Sequence, residues 1–415
     1  MVNELNALTG SFRRTVSTRP ALRPWSRVVS LLAIGLASGS PILHAPHANA
    51  ASAATSASQR PLYESGQLGV KGDDVQRLLT EATGVPDAEV ARRLSALVLT
   101  ERMSDATLQS LEKNAPGLES RSALRALADA SAFLAPAPAD VLPQAPPGLS
   151  EQRRMVALTV EYLRDTLPRL PDFYATRTTI RYDGDPQTVK RRGQIQAEDS
   201  SWREVDRAQG IVQFRDGKEV VDPQGDAKHT AHPPARGLIT RGTFGPILST
   251  VIVDAAHGST TWARWERGSG GTLAVFRYRV PDQQSHYAVA FPCRSSDMGE
   301  NATGYHGEVA IDPETGAILR LTVQADPPLG SSILQADIMV AYAPVDIGGK
   351  LYTCPVRSVS ISLDDAGLSG GLVPLGRRAA QVANATLLND VTFADYHLFR
   401  SDSRILSGDV PLPQP

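Results

Sequence analysis

Cysteine is nearly absent: the 415 residues hold two, Cys293 and Cys354. Both fall in strand-like segments of a chain that starts with an export signal, so the isolated pair is expected as one structural disulfide rather than a redox or metal site. Closing a loop of that length stabilises by roughly 4 kcal/mol on the chain-entropy scale. An excess of charge of either sign is also lacking. Lys and Arg number 42 against 44 Asp and Glu, a formal net charge of −2. Residues 1–50 carry five Arg and one Glu, so without them the charge is 37 − 43 = −6. A mildly acidic chain argues against nucleic acid or an anionic membrane surface as partner. Long apolar runs are missing too. Val28 to Leu43 is interrupted by Gly and Ser, carries Pro41, and falls short of the ~20 residues that span a bilayer. With the basic stretch Arg23 to Arg27 before it and Ala48-Asn49-Ala50 after it, it reads as a secretory signal cleaved after Ala50, with no stable membrane insertion afterwards. No Cys stands at the cleavage site, which excludes lipid anchoring there. A repeat of 20 to 50 residues is lacking, so a solenoid is not indicated.

What is present is ordinary globular material, 41% hydrophobic and 21% charged. After a Ser- and Ala-rich leader over 51–72, the period turns helical from Asp73 to Leu134. Asp87 is expected to cap a helix carrying Val90, Leu94 and Leu97, and Ser104 one carrying Leu108 and Leu111; Leu124, Leu127 and Leu134 mark a longer one. Residues 135–149 hold Pro136, Pro138, Pro143, Pro146 and Pro147, a linker by composition. Ser150 is expected to cap a helix over Glu151 to Leu167 striped with Val156, Val160 and Leu163.

Strand signals dominate from there to about 406, with 407–415 a tail. Tyr174 to Tyr182, Ser201 to Ala208, Gly210 to Phe214, Thr260 to Glu266, Gly271 to Val280, His286 to Cys293 and Thr386 to Phe399 join a central meander from Tyr305 to Leu363. In that meander Tyr305, Gly307, Val309 and Ile311 alternate with His306, Glu308, Ala310 and Asp312, and Val359, Ile361 and Leu363 alternate with Ser358, Ser360 and Ser362. Asp312-Pro313-Glu314-Thr315-Gly316 and Asp346-Ile347-Gly348-Gly349-Lys350 supply the turns. Phe244 to Ala256 reads as a second apolar helix. The sum is an α+β protein: about ten antiparallel strands in one curved, half-barrel-like sheet with one face wet, its apolar side covered by Glu151 to Leu167 and Phe244 to Ala256, preceded by a small helical segment.

Chemical signatures are sparse. Gly367-Leu368-Ser369-Gly370-Gly371 matches a nucleophile-elbow pattern, with Asp390 or Asp395 and His397 following in hydrolase order, but the parallel strand and helix such an elbow needs are not there. His229 and His232 lack the further ligands of a metal set. His306 and Glu308 share a strand face, where an acid-base pair competes with a plain cross-strand pair. Gly268-Ser269-Gly270-Gly271 joins two strands and is a hairpin loop rather than a phosphate cradle. No cofactor is indicated. Trp262, Phe276, Tyr278, Tyr287 and Phe291, with Trp265 and Tyr305, concentrate aromatic side chains in consecutive strands. They serve either as sheet packing or as the lining of an apolar ligand site.

Leu170-Pro171-Asp172-Phe173-Tyr174, Phe244-Gly245-Pro246-Ile247-Leu248, Tyr305-His306-Gly307-Glu308, Ala343 to Lys350 and Leu388 to Phe393 together resemble a family of secreted bacterial proteins that brings no known activity. In topology alone, the order of helix, long antiparallel sheet, inserted helix and more sheet is similar to the periplasmic lipoprotein-carrier (LolA/LolB-like) superfamily. That resemblance implies a hydrophobic cavity beneath helices for lipid or an acylated protein, in the periplasm or outside the cell. The helical segment before Pro136 departs from it. Three classes of function are thereby set against each other: a non-enzymatic carrier of an apolar ligand, a structural or interaction protein of the envelope with a packed core, and a serine hydrolase using Ser369.

Overall fold

The computed structural model describes residues 69–184, 188–191, 194–197, 202–221, 243–287, 303–328, 331, 333–364 and 385–399. Its centre is an open antiparallel sheet of ten strands. Strand β3 (Phe173–Asp183) pairs with β6 (Arg203–Arg215), and β6 with the edge strand β7 (Lys218–Val221). The chain then crosses to the opposite edge and returns strand by strand: β8 (Ser259–Arg267), β9 (Thr272–Val280), β10 (Gly304–Ile311), β11 (Ile318–Asp326), β12 (Ile333–Asp346), β13 (Leu351–Asp364) and β14 (Ala385–Leu398). β14 pairs with β3, so the first strand of the sheet is third from one edge, beside the last. Two small pairings stand outside this sheet: β1 (Gly69–Val70) with β2 (Val98–Leu99), and β4 (Thr188–Arg191) with β5 (Gln194–Ala197).

The expected helices form. They are α1 (Gly72–Glu81), α2 (Asp87–Ser95), α3 (Asp105–Glu112), α4 (Leu118–Ala130), α5 (Leu149–Thr166) and α6 (Pro246–His257). Ser104 caps α3 by accepting from the Thr107 amide at 3.3 Å. Asp87 is not the cap of its own helix; it lies in the first turn of α2, and its carboxylate accepts from the amides of Glu119 and Ser120 at 3.0 and 3.1 Å. It therefore stabilises the start of α4, where unpaired amides and the helix dipole favour an anion. Ser150 is likewise not a cap, because α5 begins one residue earlier after Gly148. The two strands expected over Ser201 to Phe214 are one continuous strand, β6. Of the strand expected over His286 to Cys293, His286 and Tyr287 are assigned to no strand, and residues 288–293 lie outside the described residues.

Helices α5 and α6 cover one face of the sheet. Met155 and Leu163 of α5 and Ile247, Leu248 and Val251 of α6 are buried with Phe276, Tyr278, Tyr305, Val309, Leu321, Val323, Ile338, Val340 and Tyr342 from β9 to β12. Phe244, just before α6, enters a second cluster on the same face with Phe173, Phe214, Phe393 and Tyr396. Since α6 follows the crossing from β7 to β8, the connection that moves the chain between edges also supplies the roof.

The reverse face is wet only in part: Arg277 and Arg279 of β9 are exposed there, whereas the strands around β13 are covered. Helix α4 packs Ala126, with Ala130 and Phe133 beyond it, against Ile180, Tyr182, Ile361 and Leu388. Arg357 on β13 binds Asp129 of α4 and Asp390 of β14, both carboxylates almost wholly buried. Burial, and Asp390 beside it, push the Asp129 carboxyl well above its usual range against the pull of Arg357. Further along, Glu266 of β8 holds Arg102, Arg264 and Arg320. Burial opposes ionisation of Glu266, but the three guanidiniums override it and lower its pKa to about 2. The Pro-rich stretch runs against the β8 edge: Leu142 donates its amide to the Trp265 carbonyl at 3.1 Å, and Trp265 Nε1 donates to the Ala145 carbonyl at 3.0 Å. An otherwise open edge strand is shielded by it.

The expected Cys293–Cys354 disulfide is not made. Cys354 is a free, buried thiol on β13, within the cluster around Phe173, and burial pushes its pKa up to about 12. Cys293 lies outside the described residues.

Two glycines let backbones meet. Gly316, at a positive φ of 76° in the β10–β11 turn, sits so close to α5 that a Cβ would stand 2.4 Å from the Leu158 carbonyl carbon. A Cβ on Gly307 would stand 1.9 Å from the Thr322 carbonyl oxygen and 2.7 Å from the Tyr278 hydroxyl, which donates across Gly307 to that same oxygen. Gly307→Ala is therefore expected to destabilise the fold by about 3 kcal/mol through overpacking, read as a lower urea midpoint; an unchanged midpoint would contradict this packing.

Candidate functional site

The roofed face concentrates the side chains singled out in the sequence. Trp262, partly exposed near the β8 edge, meets Trp265 edge to face at 4.8 Å and Phe276 at 5.3 Å. Tyr305 gathers a second group, with Tyr278 at 5.9 Å and Tyr287 at 5.2 Å. Trp262, Phe276, Tyr278 and Tyr287 thus share one face, Phe276 and Tyr278 by strand alternation and Trp262 by its pairing with Phe276. Phe276 and Tyr278 are core side chains beneath the helices, while Trp262 and Tyr287 are only partly covered. Phe291 lies outside the described residues.

Helix α6 is fastened at both ends. At its start, the Thr243 carbonyl accepts from the Tyr342 hydroxyl at 3.1 Å, and Glu219 of β7 accepts from the Thr243 amide at 3.1 Å. In its last turn, Asp254 is completely buried and accepts three hydrogen bonds: the Tyr305 hydroxyl at 2.8 Å, the His286 amide at 2.8 Å and His286 Nδ1 at 2.6 Å. Burial, with the Asp254 contact adding to it, raises the Tyr305 phenol far above its ordinary value, so it stays a donor. The His286 ring remains 56% exposed. An imidazole oriented by a buried carboxylate is an arrangement that hydrolases use. Among the described residues no hydroxyl or thiol bonds to the far side of this ring, and its evident work is to hold α6 to the chain that follows β9. Sequence reasoning missed Asp254. Its signal was a lone acid within the apolar run Ile247 to Ala256.

The remaining chemical candidates are dispersed. His306 pairs with Asp326 at 2.9 Å, whereas Glu308 binds Arg264 and Arg277, so the two do not act on one another. Asp390 is committed to Arg357 on the reverse face, Asp395 is exposed at a positive φ of 50° in a bulge, and the His397 ring lies tilted against Tyr174 at 5.2 Å. Ser369, His229 and His232 lie outside the described residues. Among the described residues no three His, Cys, Asp or Glu groups are placed to hold a metal ion, and no helix is long and apolar enough to cross a membrane.

The architecture is an α+β protein built on an open ten-stranded antiparallel sheet with helices over its apolar face. Neither a family profile nor a curated protein matches the sequence. Among solved structures, the crystal structure of a LolA superfamily protein from Nitrosomonas europaea aligns at 9% identity over 59% of this chain and 93% of that one, with a TM-score of 0.25.

One titratable group on the reverse face gives a pH signature. Asp337 of β12 is buried, and desolvation raises its carboxyl to about 6 although Gln335 and Gln324 bind it and His306 stands near. In the unfolded chain it ionises at about 4. The folded state holds the proton more tightly, so the stability tied to Asp337 is complete below about pH 4 and is lost as pH rises through about 6. Asp337→Asn is expected to match the parent protein near pH 4 and to exceed it at pH 8 by up to about 3 kcal/mol, measured by chemical denaturation at the two pH values. Equal stability at both would show that Asp337 is ionised without penalty.

Proposed function

We propose that this chain is a non-enzymatic, secreted or periplasmic binding protein that takes the acyl chain of a lipid or acylated protein between the sheet and helices α5 and α6. What supports the reading most is how lightly the roof is held. Of the eighteen residues of α5, only Met155, Thr159 and Leu163 are buried, and the side-chain hydrogen bonds that tie α6 to the sheet are at its two ends, with Ile247, Leu248 and Val251 held between them by apolar contact. Beneath them lies a continuous apolar surface that leads from the partly exposed Trp262, Trp265 and Tyr287 to the covered Phe276 and Tyr278. Lifting the helices exchanges their apolar contacts for those of a ligand. The basic stretch Arg23 to Arg27 and the apolar run after it, read as part of a secretory signal over residues 1–50, support a location where such a ligand has to cross water.

A second reading has its own observation. The helix–sheet interface is filled by core side chains, which suits an envelope interaction protein that binds nothing there. The two are separated by a series of saturated fatty acids competing with a fluorescent fatty acid. Each methylene buried contributes about 0.8 kcal/mol, so affinity is expected to rise by about fourfold per methylene until the site is full. An affinity independent of chain length, or no displacement at all, favours the interaction protein.

A further inference from the structure

Between the two apolar clusters of the roofed face runs a strip of polar side chains. Ser358, Ser360 and Ser362 are 0%, 1% and 1% exposed. Register puts them on the roofed side: Ser358 is opposite Val340, Ser360 opposite Ile338 and Ser362 opposite Ala336 on β12. On the other flank the partners on β14 are Val391, Asn389 and Leu387. Asn389 Nδ2 donates to Ser360 Oγ at 3.4 Å, and Thr179 of β3 lies next in the row beyond Val391. Val340 belongs to the cluster under Ile247, Leu248 and Val251, and Val391 to the cluster around Phe244. Phe244 and α6 therefore reach both sides of the strip.

These serines are unexpected on physical grounds. A central strand closed on both faces is ordinarily filled with Val, Ile and Leu, and a buried hydroxyl without a partner opposes folding. Small side chains beside Ile338 and Val340 also lower the floor of the roofed face. Ser358 Oγ is fully buried and, among the described residues, accepts from and donates to nothing. A donor that is shut off from water and unmatched among the described residues is open to an acceptor that the protein receives.

Resting on the acyl-chain reading above, we propose that the serine strip is a polar subsite for a neutral carbonyl carried on the chain, an ester or an amide, with Ser358 Oγ donating the hydrogen bond. The ligand is then amphipathic along its length: hydrocarbon against Phe276, Val309 and Val340, and a carbonyl over β13. A plain hydrocarbon fills the apolar part and leaves Ser358 unmatched. A Ser358→Ala chain loses a hydroxyl that contributes nothing to the unliganded fold, so it is expected to be as stable as the parent or more so.

The test uses the full secreted chain, with methyl myristate and an n-alkane of matched length each displacing a fluorescent fatty acid, on the parent, Ser358→Ala and Ser358→Thr. The parent is expected to prefer the ester. Ser358→Ala is expected to weaken the ester about threefold to tenfold, the loss of one neutral hydrogen bond, while the alkane is unchanged and Ser358→Thr retains ester affinity. Equal affinity of the parent for the two probes, or an equal loss of both in Ser358→Ala, overturns the subsite and leaves the acyl-chain reading standing. Failure of both probes to displace the fluorescent acid overturns the acyl-chain reading and the subsite together.

Discussion

The structure depends on a demand that an open ten-stranded sheet makes of any chain: two broad faces must be closed, and they need not be closed by the same means. Here one face is closed by the hydrophobic effect. Met155, Leu163, Ile247, Leu248 and Val251 from two helices meet Phe276, Tyr278, Leu321, Ile338 and Val340. The other is closed in large part by charge, with Glu266 among Arg102, Arg264 and Arg320, and Arg357 between Asp129 and Asp390. Such buried ionic contacts fix geometry more than they add stability. They set the register of the N-terminal helices on the sheet, while the apolar side is left with a roof that is mostly non-directional contact.

That asymmetry bears on function. Non-directional apolar contacts are exchangeable for those of an apolar ligand, whereas a buried ion pair has no such substitute. Helix α6 has one buried carboxylate, Asp254, and it sits in the last turn, acting as a latch rather than a rivet along the length. The helices held by apolar contact and the ion-paired frame are therefore on opposite faces of one sheet, and the strip of serines over β13 lies where the roof passes from one apolar cluster to the other.

Much of the architecture was legible in the chain. Alternation through Tyr305 to Ile311 and the Asp-Pro-Glu-Thr-Gly turn define β10, its turn and β11 within a residue or two, and the stripes of Val156 to Leu163 and Ile247 to Ile252 mark the covering helices. What alternation cannot carry is what lies on each face. Ser358, Ser360 and Ser362 read as a wet face because hydroxyls usually meet water, yet both sides of β13 are covered, one of them by helices 200 and more residues earlier in the chain. Asp87 read as a local cap, since local bonds are the usual use of an Asp before a helix, but its acceptor oxygens serve the amides of Glu119 and Ser120. Cys354 was paired by compartment chemistry alone, and its apolar surroundings keep it a thiol. Of the candidate site, the aromatic side chains were visible because they crowd consecutive strands; Asp254 and His286 were not, because 32 positions separate them and only the fold brings them to 2.6 Å.

The central claim is that α6 and α5 yield to a ligand while the rest of the frame stays put. Amide hydrogen exchange of the whole protein, with and without a saturating long-chain fatty acid, reads it directly. The account predicts that protection changes in Pro246–His257 and Leu149–Thr166 and is unaltered in α1 to α4. Exchange unaffected by the fatty acid, or altered in α1 to α4 instead, would contradict it.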